Sequence, residues 1–229
     1  MTLLFEDHRL EVLHERLLAR YGKPADRELW DPLTQMIYSM LSSRTKTEIS
    51  HQVLRDLRAT FGSWEKLRDA PVAEIEWTIR AATFPERKAG QLKRALEQIT
   101  ARYGTLTLDF LANYRTEKMR AWLEQFDGVG VKTSAAVVNF STLRRRAMCI
   151  DSHHLRIAQR LGFVSKHADA RETETRVMEM APAAWTAETL DEHHSLVKLH
   201  GQQLCPKFKP RCWECPLLDI CPTGATCRR

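Results

Sequence analysis

The sequence has no run of apolar residues that approaches the ~20 needed to cross a bilayer. Its first stretch, residues 1–20, is charged throughout and has no apolar segment like that of a signal peptide. We therefore expect a cytosolic protein that contacts no membrane. Structural disulfides are rare in the cytosol, so the six cysteines of the chain need another explanation.

The sequence also has no sustained alternation of apolar and polar residues, no internal repeat and no linker rich in glycine or serine. Apolar residues recur instead at helical spacing along almost the whole chain. Helix starts are marked by Asp31, which precedes Pro32, and by Ser63, because Asp and Ser are preferred N-caps and proline suits the first helical position. The pattern predicts an all-α protein with no sheet of consequence.

Acidic residues are slightly outnumbered, with 35 Lys and Arg against 29 Asp and Glu and a net charge of +6. A positive excess suits a polyanionic partner such as a nucleic acid, although many basic proteins bind none. The composition is otherwise that of an ordinary globular protein, and 229 residues are enough for one large core or two small ones.

Four of the six cysteines fall in one short segment, with the spacing Cys205-x6-Cys212-x2-Cys215-x5-Cys221. Four thiolates can hold either a zinc ion or an iron–sulfur cluster. Structural zinc usually uses two short Cys-x2–4-Cys pairs, whereas this segment has one short pair and longer outer gaps. The tail after Cys205 also carries four prolines, so it cannot be a continuous helix. The spacing favours a compact loop around a cluster, with zinc or metal-free cysteines as the alternatives.

A Gly-x-Gly turn, Gly128-Val129-Gly130, lies between two segments of helical pattern. Two glycines permit a tight turn with positive φ and a close approach of the backbone, and a helix N-terminus after such a turn binds phosphate well. Lys132 then falls in the first turn of the next helix, where the helix dipole favours the neutral, nucleophilic amine. Each of these features has a simpler interpretation. Such turns also occur as plain connectors, and Lys132 would suit a simple phosphate contact. Asp151, nineteen residues after Lys132, would suit an ordinary helix cap.

In this order, Gly-Val-Gly-x-Lys-Thr, Ile-Asp-x-His and the four-cysteine spacing resemble the endonuclease III family of helix-hairpin-helix DNA glycosylases. The resemblance extends from Leu41 to Cys221. It implies that Lys132 is the catalytic nucleophile, that Asp151 is the catalytic aspartate and that Glu124 is a catalytic residue that helps relay protons. It also implies a [4Fe–4S] cluster, whose metal ligands would be Cys205, Cys212, Cys215 and Cys221.

The resemblance further implies an architecture of two helical domains with a DNA-binding cleft between them. A six-helix domain at residues 25–143 would end with the helix-hairpin-helix. A cluster domain would be built from residues 1–24 and 144–229. Lys132 and Asp151 would lie at the mouth of the cleft. The expected partner is double-stranded DNA with a damaged base or an abasic site. We expect the protein in the cytoplasm, associated with the nucleoid if it is bacterial. The expected assembly is a monomer.

The reaction that the resemblance implies is base excision repair by a bifunctional DNA glycosylase/AP lyase. An oxidised pyrimidine nucleotide is flipped out of the duplex. Lys132 attacks C1′, expels the base and forms a Schiff base, and β-elimination then nicks the abasic strand. The residues expected to contact DNA are Arg44, Phe84, Gly128, Val129 and Gly130.

Several positions depart from the family pattern. Asp127 stands where the family has proline and would put a negative charge near a bound phosphate. Arg44 replaces a glutamine that helps to fill the gap left by the flipped base, and Thr47 replaces an aspartate. The wedge loop, commonly Gly-Leu-Tyr or Gly-Phe-Tyr, reads Thr83-Phe84-Pro85. These changes leave the chemistry intact and leave the range of lesions open.

Two alternative functions remain. The adenine-mismatch branch of the same superfamily lacks the lysine nucleophile, so Lys132 argues against it. The other alternative is a non-catalytic iron–sulfur protein that binds DNA or senses redox state. The presence of both Lys132 and Asp151 argues against this second possibility, because binding alone needs neither residue at that spacing.

Overall fold

The computed structural model describes residues 8–227. The chain forms two compact units, one of Leu29–Arg144 and one of Met1–Glu28 with Arg145–Arg229. These units divide after residues 28 and 144, where the sequence predicts boundaries after residues 24 and 143. Residues 1–7 and 228–229, which the predicted cluster domain includes, lie outside the described residues.

Helices account for the regular structure of residues 8–227. The α-helices are α1 (Arg9–Tyr21), α2 (Pro32–Ser42), α3 (Thr47–Phe61), α4 (Trp64–Asp69), α5 (Val72–Thr78), α6 (Pro85–Tyr103), α7 (Thr116–Leu123), α8 (Val131–Phe140), α9 (Ser152–Arg160), α10 (Ala170–Met180), α11 (Ala187–Gln203) and α12 (Pro222–Ala225). Short 3-10 helices lie at Asp109–Asn113, Cys212–Glu214 and Leu218–Ile220. The β-type pairing in this part of the chain is an isolated bridge between Trp30 and Ser141. The all-α prediction is confirmed, and no helix within residues 8–227 is long and apolar enough to cross a membrane.

Local capping explains where several helices begin. The side chain of Asp31 accepts a hydrogen bond from the backbone N–H of Thr34 at 2.9 Å, and Pro32 is the first residue of α2, as the sequence predicts. The side chain of Ser63 caps α4 in the same way. Helix α10, which the sequence analysis did not identify, begins after Asp169, whose carboxylate accepts from the N–H of Glu172 at 2.9 Å.

The unit of residues 29–144 is organised around α2. This helix is buried on nearly all sides and packs against α3, α6 and α8. Helix α6 packs in turn against α4 and α5, and α7 packs against α8. The unit holds seven α-helices, where the resemblance implies six, and the six-residue α4 is the shortest of them. Each fully buried Leu or Ile of α2 contributes roughly 1.5–3 kcal/mol to stability.

The other unit joins α1 to the second half of the chain. Helix α11 packs against α1 and α9, and α9 also contacts α10 and α12. Its core includes Leu10, Leu13 and Leu17 of α1 together with Ile157 and Leu196. The tail after Cys205 contains short helical turns, which confirms that its prolines exclude a continuous helix.

Candidate functional site

The predicted hairpin lies between α7, which ends at Leu123, and α8, which begins at Val131. The prediction of positive φ is right for Gly128, where φ is +85° and an added Cβ would lie 3.0 Å from Gln91. Gly130 instead has an extended backbone with φ of −99°. An added Cβ at Gly130 would meet nothing within 4 Å. Gly128 is therefore required by the turn itself, whereas the backbone at Gly130 lies open to the approach of a ligand.

Asp127, beside this turn, is already engaged by two side chains of α6. Its Oδ2 accepts from Nη2 of Arg94 at 2.6 Å, and its Oδ1 accepts from Nε2 of Gln91 at 3.0 Å. The hydrogen bond from Arg94, followed by that from Gln91, lowers the pKa of Asp127. The negative charge that the sequence analysis placed alone near the hairpin therefore has a cation at contact distance. Its repulsion of a phosphate is correspondingly weaker.

Lys132 is the second residue of α8, which confirms its predicted place in the first turn of that helix. Glu124 is bonded to the same turn. Its Oε1 accepts from Oγ of Ser134 at 2.6 Å and from Nη2 of Arg120 at 3.4 Å. The same two donor atoms reach the carbonyl of Val131, at 3.0 and 3.2 Å. Glu124 thus ties the end of α7 to the beginning of α8 and helps to fix the backbone that carries Lys132.

The structure brings Arg44 and Phe84, two residues expected to contact DNA, close together. The guanidinium carbon of Arg44 lies 5.9 Å from the centre of the Phe84 ring, and that of Arg87 lies 5.1 Å from it. The hydroxyl of Thr83 donates to the carbonyl of Arg44 at 3.0 Å. Arg44 and Phe84 both adopt left-handed backbone conformations, with φ of +56° and +58°. Residues other than glycine hold such conformations at an energetic cost. Strained residues of this kind are common in loops that present a side chain to a ligand.

A buried lysine that the sequence analysis did not single out joins these loops to α6. Nζ of Lys88 donates to the carbonyl of Leu41 at 2.6 Å, to the carbonyl of Ser43 at 2.8 Å and to Oγ1 of Thr45 at 2.9 Å. Three donors of the ammonium therefore meet three acceptors at the end of α2 and in the loop that holds Arg44. Lys88 is buried with 2% of its surface exposed.

The position of Lys88 also has an electrostatic consequence. Burial, with smaller contributions from the positive charges of Arg87 and Lys132, lowers the pKa of Lys88 to about 8. Lys132 is therefore near enough to this amine to act on it. The sequence does contain a signal for the buried lysine, because Lys88 lies four residues before Leu92 on the apolar face of α6.

Asp151, in the other unit, is the N-cap of α9, as predicted. Its Oδ1 accepts from the backbone N–H groups of His153 and His154, at 2.8 and 2.9 Å, and from Nδ1 of His154 at 3.0 Å. Burial raises the pKa of Asp151, but the hydrogen bonds that the carboxylate accepts, above all from the side chain of His154, outweigh it and hold the pKa well below its usual range. Asp151 is thus kept ionised. None of the bonds that the described residues make to this carboxylate falls on Oδ2.

The four cysteines of the predicted metal site line a single cavity of about 30 Å³. It is larger than the ~10–15 Å³ that one water molecule needs by the same measure. Three of the sulfurs accept hydrogen bonds, from Nη1 of Arg160 to Cys205 (2.9 Å), from the N–H of Leu217 to Cys215 (3.4 Å) and from the N–H of Gly224 to Cys221 (3.3 Å). N–H···S bonds of this kind tune thiolates that ligate iron–sulfur clusters.

The thiols themselves are in their protonated forms at neutral pH at two of these positions. Burial raises the pKa of Cys212 to about 12 and that of Cys215 to about 11. A metal would therefore have to displace these protons on binding. Within residues 8–227, no three His, Cys, Asp or Glu side chains converge as ligands of one metal ion. Of the cysteines outside the pattern, Cys149 is buried.

Solved structures share this fold over nearly the whole chain. A non-covalent endonuclease III–DNA complex aligns with a TM-score of 0.79 at 23% identity, over 98% of this chain and 98% of that one. A thermostable thymine-DNA glycosylase aligns with a TM-score of 0.77 at 18% identity, over 96% of this chain and 99% of that one. At these identities the likeness shows the fold.

Curated relatives include two proteins named endonuclease III. The one from Bacillus subtilis is 26% identical over 85% of this chain and 82% of its own length. The one from Sulfolobus acidocaldarius is 29% identical over 69% of this chain and 66% of its own length. Three plant relatives are longer, and this chain matches 58%, 14% and 9% of their lengths.

The family model described as HhH-GPD superfamily base excision DNA repair protein matches residues 37–183. This stretch is more than half of the chain, and it contains the hairpin, Lys132 and Asp151. Together with the endonuclease III relatives and structures, it confirms the resemblance that the sequence motifs indicate. The chain belongs to the HhH-GPD superfamily of base excision DNA repair proteins.

Proposed function

We propose that this protein is a DNA glycosylase with AP lyase activity that removes oxidised pyrimidines from duplex DNA. The observation that carries the proposal is the place of Lys132, in the first turn of α8 directly after a hairpin whose backbone is open at Gly130. A lysine amine at such a point can reach the sugar of a nucleotide whose phosphate is held by the hairpin amides.

The residues around Arg44 and Phe84 would supply the second requirement, which is to replace the flipped nucleotide in the base stack. Flipping costs the stacking and pairing energy of the base, a few kcal/mol. The ring of Phe84 is 40% exposed and is flanked by the guanidinium groups of Arg44 and Arg87. An exposed ring can stack on a neighbouring base, and the arginines can contact the phosphates or the orphan base.

The chemistry proposed for Lys132 has two stages. In the first, the neutral amine attacks C1′, the N-glycosidic bond breaks, and its electron pair leaves with the base, which takes up a proton. The sugar ring opens and a Schiff base forms between Nζ and C1′. In the second, a proton is removed from C2′, the C3′–O bond breaks, and the 3′ phosphate leaves with that electron pair. Hydrolysis of the Schiff base returns the free lysine.

Asp151 is proposed to stabilise the positive charge that develops on the sugar and to assist proton transfer. Its Oδ1 is held by three N–H donors, so Oδ2 is the oxygen available for this role. A carboxylate held ionised is suited to stabilising a cation in the transition state. Loss of a positioned acid/base group usually costs a factor on the order of 10²–10⁴ in rate.

The four cysteines fit a [4Fe–4S] cluster, which we propose as the cofactor. Cys205, Cys212, Cys215 and Cys221 line one cavity, and three of their sulfurs receive N–H donors. When bound, the cluster would supply a structural link that holds the tail against α9 and α11. Purified protein should contain close to four iron and four sulfide per chain, whereas stoichiometric zinc without sulfide in protein prepared without air would refute the assignment.

The test of the proposed reaction is borohydride trapping of the protein on a panel of duplexes, each with a different lesion. We expect covalent complexes with oxidised pyrimidines and with abasic sites. Lys132→Gln should bind abasic-site DNA but give no trapped complex, while Lys166→Gln, which removes an exposed lysine, should trap like the wild type. Asp151→Asn should slow base excision while retaining some trapping on a pre-formed abasic site. Efficient trapping by Lys132→Gln would show that the nucleophile is another amine.

A further inference from the structure

The side chain of His154 is hydrogen-bonded to the proposed catalytic aspartate. Its Nδ1 lies 3.0 Å from Oδ1 of Asp151, and its own backbone N–H donates to the same oxygen at 2.9 Å. A carboxylate oxygen accepts hydrogen bonds and has no proton to give when it is ionised. Nδ1 of His154 must therefore carry the proton in this bond.

The other ring nitrogen of His154 is in an unusual position. His154 is 4% exposed, and its Nε2 is buried with no hydrogen-bond partner among the described residues. A second proton on Nε2 would create a buried N–H donor without an acceptor, which is costly. The surroundings therefore favour the tautomer that has its proton on Nδ1, directed at Asp151.

The rings of α11 fix the plane of His154. The rings of His154 and His194 are stacked with their centres 4.6 Å apart and their planes 7° from parallel. His194 is itself anchored, because its Nδ1 lies 2.9 Å from the carbonyl of Cys149. Burial lowers the pKa values of His193 and His194 well below the usual value, so both rings are neutral. His154 therefore lies against uncharged rings that hold its orientation.

Other titratable and charged groups act on this pair from the helices packed around it. They are His153 and Arg156 on α9, His193, His194 and Lys198 on α11, His14 on α1, and Arg27 in the segment after α1. Arg27 is ion-paired with Asp191 at 2.8 Å. None of these groups donates a side-chain hydrogen bond to Asp151, and among the described residues only His154 does so.

We propose that His154 is a positioning residue for Asp151, holding Oδ1 through Nδ1 so that Oδ2 alone meets the substrate. This inference rests on the proposed function of Asp151 in base excision. It goes beyond the helix cap, because the cap uses the backbone N–H groups alone and would be complete with any residue other than proline at position 154.

Two nearly isosteric substitutions separate the side-chain bond from simple packing. His154→Asn can place an amide N–H near the position of Nδ1, whereas His154→Leu fills a similar volume with no donor. Loss of the donor raises the pKa of Asp151, because a hydrogen bond to the charged form of an acid lowers its pKa. His167→Leu, which removes an exposed histidine of the same unit, serves as the control.

The experiment is a single-turnover measurement of base excision from pH 5 to pH 8, on the duplex that wild-type protein processes best. From pH 8 to pH 5, the rate of His154→Leu relative to wild type should fall about tenfold. His154→Asn should follow the wild-type profile closely, as should His167→Leu. A His154→Leu profile parallel to that of wild type would overturn the proposal, and so would a His154→Asn profile that matches His154→Leu.

Nitrogen-15 NMR of the wild-type imidazole rings tests the same inference without any activity. We expect His154 to show a protonated Nδ1 and an unprotonated Nε2 at pH 7. A proton on Nε2 with a bare Nδ1 would refute the inference even if the leucine variant failed to fold. If wild-type protein excised no base from any duplex, the proposed function would fail, while the NMR result would still decide the geometry of the His154–Asp151 pair.

Discussion

Replacing Lys88 by methionine removes a buried ammonium and keeps most of its apolar stem. The change leaves the carbonyls of Leu41 and Ser43 and the hydroxyl of Thr45 without the donor that they share. Hydrogen bonds to a charged group are worth about 1.5–3 kcal/mol each. Dehydration of the ammonium, several kcal/mol, offsets much of that gain. We therefore expect Lys88→Met to lower the free energy of unfolding by about 2–4 kcal/mol, as for other truncations of a buried polar network.

The contribution of Lys88 should also depend on pH in a defined direction. Its pKa is lowered from the usual 10.5 to about 8 in the folded protein. Between pH 8 and pH 10.5 the unfolded chain therefore holds more protons at this site than the folded chain. Stability rises with pH wherever the unfolded state binds more protons. The stability difference between wild type and Lys88→Met should accordingly grow from pH 7 to pH 9.

Urea unfolding followed by tryptophan fluorescence at these two pH values measures both effects. Lys66→Met, at an exposed position of α4, is the matched control and should change stability by less than about 0.5 kcal/mol. The reasoning would be refuted by a Lys88→Met protein as stable as the control. It would also be refuted by a stability difference that shrinks between pH 7 and pH 9.

Three further outcomes follow from other contacts. Arg94→Gln should weaken binding to an abasic-site duplex several-fold at low salt and less at high salt, because it leaves the charge of Asp127 uncompensated. A variant that binds as tightly as wild type at both salt concentrations would show that Asp127 is far from the phosphate. Cys212→Ala should lower the iron content and the yield of folded protein, and an unchanged iron content would remove this residue from the ligand set. Arg44→Gln should shift activity toward lesions opposite adenine, because arginine cannot accept from an adenine amino group, and an identical opposite-base profile would exclude Arg44 from the gap.

Local chemistry is what the sequence predicts well in this protein. The caps at Asp31 and Asp151, and the place of Lys132 in its helix, depend on neighbours within a few residues, so residue type and spacing suffice to find them. The left-handed backbone of Arg44 and Phe84 could not be read in this way. These two residues are forty positions apart in the sequence. Hydrogen bonds between their loops accompany the left-handed conformations, and neither segment alone specifies those contacts.

The buried polar side chains show the same limit. Lys88 and His154 look like ordinary members of helical segments until the fold supplies their partners. The acceptors of Lys88 lie more than forty residues away in the sequence. His154 is close to Asp151 in the sequence, but its orientation depends on stacking against His194, forty residues later. In this protein, the motifs indicate the groups that are proposed to react, and the packed structure shows the groups that hold them.

The identity of the nucleophile can be measured directly by mass spectrometry of the borohydride-reduced complex. Wild-type protein is trapped on a duplex with an oxidised pyrimidine, the DNA is digested away, and the peptides are sequenced for the residue that retains the sugar fragment. The proposed mechanism predicts one modified residue, Lys132, in near-stoichiometric yield. A sugar fragment on any other amine, Lys88 included, with Lys132 unmodified would contradict it.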